Sequence, residues 1–451
     1  HDQPIPIDKN VIKGKLDNGF TYYIRSNKRP ENRAELTIIV NAGSIHEDDD
    51  QQGLAHFCEH MAFNGTKNFK KNELVNYLES IGMKFGPEIN AYTSFDQTVY
   101  GIKVPLNRQG FLDTGLMILA DWAHNISFEA EEIEKERGVI HEEWRMGRGA
   151  DERMMKRYLP VLFHQSQYAK RLPIGKIEII DNFKHDVIKR FYKDWYRPDL
   201  MAIVVVGDFD AKVVEQKVKT VFSAIPKPVN PREQKVYEIP NHDQLLVSVA
   251  KDKEAEYSLV QIYYKHPMFI EKNIGDYRQS IVHQLFNSMI NKRLDELRQQ
   301  ENPPFIFGYS AYSSFLGPKD MYMSVAMTAN NNTIAGLQTL MEENERVKRY
   351  GFTETEFERE KKSLLKEIEN SYNERNKVES EKYVSEYVRN FGMNQEPIPG
   401  IELEYELFKK FIPEITLQEV NKLANEWITD KNRVIHSRIY AENDSSDKRR
   451  Q

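Results

Sequence analysis

The run Phe128-Glu129-Ala130-Glu131-Glu132-Ile133-Glu134-Lys135-Glu136 returns, in pattern, as Phe352-Thr353-Glu354-Thr355-Glu356-Phe357-Glu358-Arg359-Glu360. With that offset held fixed, Glu143 falls opposite Glu367. Both stretches lead to a Trp-containing helix end followed by a strand, at Trp195 to Val206 and at Trp427 to Ile439. A repeat whose period is so long is a duplicated domain, not a solenoid. The 451 residues are also too many for one ordinary domain. The chain is therefore constrained to fold as one plan used twice.

That plan mixes strands and helices. Phe20 to Ile24 and Ala34 to Val40 read as strands, and Gly53 to about Phe63 as a helix ended by Asn64-Gly65. Asn72 to Ile81 is amphipathic, with Leu74, Tyr77, Leu78 and Ile81 on one face. Ile89 to Val104 is extended, Leu112 to Trp122 helical, and Ala130 to about Met146 a long charged helix. Met201 to Asp208 has the signature of a buried strand, and a last helix reaches Phe222. Pro226, Pro228 and Pro231 then mark a linker. Beyond it, Leu245 to Ala250, Leu259 to Tyr264 and Met321 to Thr328 are strand-like, while Tyr277 to Gln300 and Thr333 to Tyr350 are helical. The expected architecture is α+β: two tandem homologous domains, each a mostly antiparallel sheet packed with helices. Their expected bounds are 1–224 and 237–445, with 225–236 between them.

Charge and composition narrow the partners. A net charge of −6, with basic residues dispersed, gives no footprint for nucleic acid; the tail Lys448-Arg449-Arg450 reads as a solvated end. No apolar run is long enough to span a bilayer. The one cysteine, Cys58, excludes an internal disulfide framework. The opening His1-Asp2-Gln3-Pro4 reads as a processed or trimmed start.

The chemistry concentrates in His56-Phe57-Cys58-Glu59-His60. On a helix, residues four apart project from one face, so both imidazoles suit a single tetrahedral zinc. Glu59 lies beside them, able to act as a base on water at the metal. The order inverts the commoner His-Glu-x-x-His and is that of the inverzincins. The bland alternative is a helix with two satisfied histidines. A third ligand has to come from elsewhere, and the charged helix offers Glu136 and Glu143, seven residues apart and on one face. Spacing alone leaves open which of them reaches the metal, or whether both are surface charges. Cys58 points off the ligand face and reads as a packing residue.

Longer stretches carry a resemblance. Gly53 to Thr66 resembles the active-site helix of the pitrilysin/insulysin family of zinc peptidases, and Asn90-Ala91-Tyr92-Thr93-Ser94 its substrate-binding strand. Glu134 to Glu143 resembles its third-ligand helix, and Val205-Val206-Gly207-Asp208 the strand near the end of its first domain. The resemblance implies Zn²⁺ as cofactor, His56, His60 and Glu143 as its ligands, and Glu59 as general base. It implies Glu136 as an auxiliary acid that supports the site without binding metal, with Glu136 as ligand the runner-up. The interval between His60 and Glu143 is longer than is usual in the family. Asn90, Ala91 and Tyr92 would hold a peptide by strand addition.

In the second unit the place of the zinc helix falls near His283-Gln284-Leu285-Phe286-Asn287, which lacks the Glu-His pair, so this domain is expected to be metal-free. The family's substrate clamp, an Arg and a Tyr seven residues apart, is also missing: seven residues after Arg298 stands Phe305, and Tyr309 is offset. The expectation is a zinc endopeptidase acting on peptides or small unfolded proteins in a closed chamber. It would need a C-terminal half, a partner subunit of the same family or a second copy. The wording from Leu16 to Ile24 is similar to long bacterial envelope members, which implies a periplasmic or exported protein. The competing reading is a non-catalytic structural or peptide-binding subunit of the same fold.

Overall fold

Two strands in the first half, Arg33–Val40 and Met201–Gly207, are buried along nearly their whole length and not on alternate residues. A strand of that kind is covered on both faces, and the source of the second cover sets the architecture. The computed structural model describes residues 1–329 and 332–440. The basic tail at 448–450 and the expected end of the second domain at 445 lie outside the described residues.

Six strands form the first sheet: β1 (Ile12–Lys15), β2 (Thr21–Ser26), β3 (Arg33–Val40), β4 (Ile89–Thr93), β5 (Thr98–Pro105) and β6 (Met201–Gly207). Their order is β1-β2-β6-β3-β5-β4, with β2 and β6 parallel and every other pair antiparallel. The second sheet holds β7 (Leu246–Asp252), β8 (Ser258–Pro267), β9 (Phe307–Leu316), β10 (Lys319–Thr328) and β11 (Arg433–Tyr440). Its order is β7-β11-β8-β10-β9, again with one parallel pair, β7 with β11, at the same end. The repeated plan expected from the glutamate-rich runs is present in five strands of each sheet, β1 alone having no counterpart.

The helices of the first half are α1 (Leu54–Met61), α2 (Glu73–Ser80), α3 (Phe111–His124), α4 (Ala130–Met146), α5 (Ala150–Leu162), α6 (Ile177–Asn182), α7 (His185–Trp195) and α8 (Ala211–Phe222). Those of the second are α9 (Ile274–Arg298), α10 (Thr333–Tyr350), α11 (Glu354–Asn373), α12 (Ser380–Phe391), α13 (Ile401–Phe411) and α14 (Leu417–Trp427). Among the described residues no helix is long and apolar enough to cross a membrane.

One face of the first sheet packs on its own helices: Leu36, Ile38, Tyr100 and Ile102 share a core with Phe57, Met61, Leu119 and Trp122. The opposite face, with Tyr23, Ile39, Val204 and Val206, is covered by Tyr383 and Tyr387 of α12, a helix from the second half. The exchange is mutual. Met154 of α5 packs on Ala250 of β7, and Leu159 and Leu162 share a core with Tyr263 and Val434 of the second sheet. Polar contacts fix both crossings. Arg25 donates to Asp8 (2.6 Å) and to the Tyr387 hydroxyl (3.1 Å) and lies over the Tyr383 ring. Arg153 of α5 forks onto both carboxylate oxygens of Asp252 (2.8 and 3.0 Å).

Each sheet therefore depends on the other half for one of its faces. Tyr387→Ala should lower unfolding free energy by about 3–5 kcal/mol, read from urea midpoints, and speed amide exchange in β2 and β6. An unchanged midpoint with unchanged exchange in the first sheet would contradict this packing.

Candidate metal centre

Helix α1 has one apolar face. Leu54, Ala55, Phe57, Cys58 and Met61 are fully buried in the first core, which turns His56, Glu59 and His60 outward by helical periodicity. Gly53 starts the helix at φ +100, where a Cβ would also press on the backbone of Gly175 and Ile174. The buried carboxylate of Glu47 accepts from the Gly53 and Ala55 backbone N–H groups (3.1 and 2.9 Å), satisfying donors that a helix start leaves free. Burial raises the Glu47 pKa to about 8 against those bonds and nearby Arg171.

Helix α4 lies across α1 and is not simply a solvated charged helix: Glu132, Ile133, Glu136 and Ile140 form a buried stripe. Its Arg137 donates to the Ile180 carbonyl (2.9 Å) and to that of Phe183, and stacks on the Phe183 ring, which meets Phe57 of α1 edge-on (5.0 Å). This contact sets where the α4 glutamates arrive.

His56 Nε2 and His60 Nε2 stand 3.2 Å apart, and one Glu143 oxygen is 3.7 Å from the first and 3.4 Å from the second. A tetrahedral zinc with bonds of about 2.0–2.1 Å has ligand–ligand edges of about 3.3–3.4 Å. The three atoms thus fit three corners of such a site. Among the described residues this is the one group of three or more His, Cys, Asp or Glu side chains with ligand atoms that close together. Glu136 stands elsewhere. Its Oε1 meets the other nitrogen of the His60 ring, Nδ1, at 3.2 Å, and its Oε2 accepts from Asn64 (3.0 Å). A bond at Nδ1 fixes ring orientation and leaves Nε2 for a metal.

The electrostatics of the two imidazoles differ. Burial, then the His60 charge, pushes His56 down to about 4. For His60, burial pulls the same way but is outweighed by the Glu136 bond and the charges of Glu143, Glu136 and Glu59, so its pKa rises. Burial raises Glu59, with the Glu143 charge adding to it, against a hydrogen bond from Thr93 and the His60 charge. That bond, Thr93 Oγ1 to Glu59 Oε2 at 2.5 Å, comes from β4. Sequence reasoning placed Thr93 on the strand but gave it no role; no local pattern marks a partner 34 residues away. Cys58 is buried behind the face, its pKa raised well above the ordinary thiol value by burial and then by Glu47.

Asn90, Ala91 and Tyr92 lie on β4, the edge strand beside α1, whose outer side carries no paired strand among the described residues. Ala91 packs into the core, and Asn90 and Tyr92 are exposed. In the second half Glu360, the counterpart of Glu136, lies near Ser288 and Lys292 of α9 and near Glu367, the counterpart of Glu143. His283 itself is enclosed by Phe269, Tyr312 and Trp427. Arg298 is spent on Asp295 at the end of its own helix (2.7 Å).

The sequence model described as insulinase, peptidase family M16, matches residues 22–172, and that described as the peptidase M16 inactive domain matches 182–364. A zinc protease PQQL-like protein of Arabidopsis thaliana is 35% identical over 425 residues, covering 94% of this chain and 41% of the relative. The probable zinc protease PqqL of Escherichia coli is 31% identical, covering 94% of this chain and 45% of its own length. The crystal structure of the first half of the periplasmic protease PqqL from Escherichia coli superposes with a TM-score of 0.90 at 27% identity, covering 97% of this chain and 93% of that one. The chain thus spans less than half the length of these two curated relatives. It belongs to the peptidase M16 (insulinase) family of zinc proteases, and carries that family's two tandem domains in the arrangement of a first half.

Proposed function

We propose that this chain is the metal-bearing half of a zinc endopeptidase that hydrolyses peptides or small unfolded proteins in a closed chamber. The observation that carries the reading is the triangle of His56, His60 and Glu143 with the Glu59 carboxylate on the same helix face. His56, His60 and Glu143 would hold the ion, and Glu136 would fix the His60 ring through Nδ1. A zinc ion held there supplies Lewis acidity, acidifying water and polarising a carbonyl oxygen.

Glu59 takes the proton of the attacking water and passes it to the leaving amine. Burial favours its protonated form, and the Thr93 hydroxyl favours the ionised one, so the two together poise the group to give and take a proton. The open edge of β4 at Asn90, Ala91 and Tyr92 binds the substrate backbone as an added strand, which gives affinity with little demand on sequence. The helix face that carries the site supplies no cationic clamp for an oxyanion, and the relatives' greater length supports a second half, in the same polypeptide or as a partner, that completes the active site. The periplasmic description of the Escherichia coli protease supports export of this chain as well. We place the join between the domains at 225–236.

Glu59→Gln should lower kcat/KM for a peptide by about 10²–10⁴-fold while leaving bound zinc, measured on the same preparation, unchanged. Hydrolysis that survives this change refutes the assigned base. Thr93→Val removes a bond to the ionised carboxylate and so raises the Glu59 pKa. Because the base works ionised, the acid limb of the kcat/KM profile should move to higher pH, with the rate above it little altered. A limb that stays in place means that the bond does not act on the base.

A further inference from the structure

The two sheets correspond residue by residue. Ile203 of β6 pairs with Tyr22 and Ile38, and Ile435 of β11 pairs with Val247 and Ile262. Val247 therefore stands where Tyr22 stands, and Leu245 and Val249 occupy the places of Phe20 and Ile24. The helices correspond as well. Gly115 of α3 lies against Val104 and Ile102 of β5, and Gly336 of α10 against Thr328 and Ala326 of β10. On that match Ile334 of α10 takes the place of Asp113 of α3.

In the first half α8 fills the trough between α3 and β2. Its inner stripe is Val214, Val218 and Phe222, with Phe222 4.9 Å from the Phe20 ring. Glu215 accepts from the Tyr22 hydroxyl (2.8 Å) and Lys217 pairs with Asp113 (2.7 Å). Under this cover Phe20, Tyr22 and Ile24 are 0%, 6% and 0% exposed. The equivalent trough in the second half has no helix among the described residues. There Leu245, Val247 and Val249 are 41%, 56% and 54% exposed, and Ile334 is 81% exposed. The outer edge of β7 also lacks the strand that β1 gives to β2. Alternate apolar residues on an open edge strand, beside an exposed isoleucine, are what an interaction surface leaves behind when its cover is absent.

We propose that this trough is the docking surface for one amphipathic helix of the enzyme's second half. The inference rests on the two-half reading given above. The chain path points to that source: α8 follows β6 directly, and β11, the counterpart of β6, ends at Tyr440 in the same relation to the trough. The occupant presents apolar residues at i, i+4 and i+8, as α8 does. It differs in one respect. Opposite Ile334 it carries an apolar residue where α8 carries Lys217, because the carboxylate that Lys217 answers is replaced by a hydrocarbon side chain.

Val247→Cys tests the surface with little steric change, and buried Cys58 leaves a low thiol background. The variant is made in this chain alone and in a longer protein that joins this chain to a second half of the kind the relatives carry, and maleimide labelling is timed in each. In the chain alone it should label as fast as Thr355→Cys, an exposed reference on α11. In the longer protein labelling at Val247→Cys should slow by about tenfold or more, as expected for a packed position. Equal labelling in the two proteins overturns the docking site. Peptidase activity of the chain alone equal to that of the longer protein overturns the two-half reading instead, so the two failures are told apart.

Discussion

The buried face of α1 is the constraint on which the site depends. Leu54, Ala55, Phe57, Cys58 and Met61 are each fully enclosed, and burial of side chains of this size contributes about 1.5–3 kcal/mol for each of the larger ones. No rotation of the helix keeps that contribution and hides the histidines. His56, Glu59 and His60 are forced outward together, at the angular spacing that the proposed pair of metal ligands and neighbouring base would require. The same face holds α4 in place, because Phe57 meets Phe183, Phe183 carries the Arg137 guanidinium, and Arg137 belongs to α4. The packing of α1 and the geometry of the candidate site are thus one arrangement seen from two sides.

Seven residues separate Glu136 from Glu143, two helical turns, and that spacing serves two different purposes. The first turn delivers a carboxylate to the back of the His60 ring, and the second delivers one to the front of both rings. The duplicate domain keeps the acids as Glu360 and Glu367, and beside Glu360 it has Ser288 and Lys292 where the first half has histidine. A helix pair kept for its packing is consistent with the match of this half to the family's inactive domain.

Much of this was legible in the sequence, and what was not has physical reasons. Strands such as Ala34 to Val40 and helices such as Ala130 to Met146 declare themselves by local periodicity, which the fold preserves. The histidine pair is local too, because four residues make one helical turn. Helices α5 and α12 went unread for the opposite reason. Their amphipathic pattern says that one face is buried, but nothing within them says that the sheet belongs to the other half. Strand β9 was missed because Gly308, Ser310, Ser313 and Ser314 dilute its aromatic alternation. Glu143 against Glu136 could not be decided from spacing, since both share a helix face; the crossing of α4 over α1 sets their different positions, and that crossing is tertiary. The bond from Thr93 to Glu59 lies beyond sequence for the same reason.

Zinc affinity measured by competition titration of Glu143→Gln and Glu136→Gln tests the central claim most directly. Glu136 acts through the His60 ring, and loss of such a partner typically costs about 10–100-fold in metal affinity. The account predicts that Glu136→Gln falls in that range and that Glu143→Gln, which removes a ligand oxygen, weakens zinc binding further. The reverse order, with Glu143→Gln binding zinc as tightly as the unaltered chain, would contradict it.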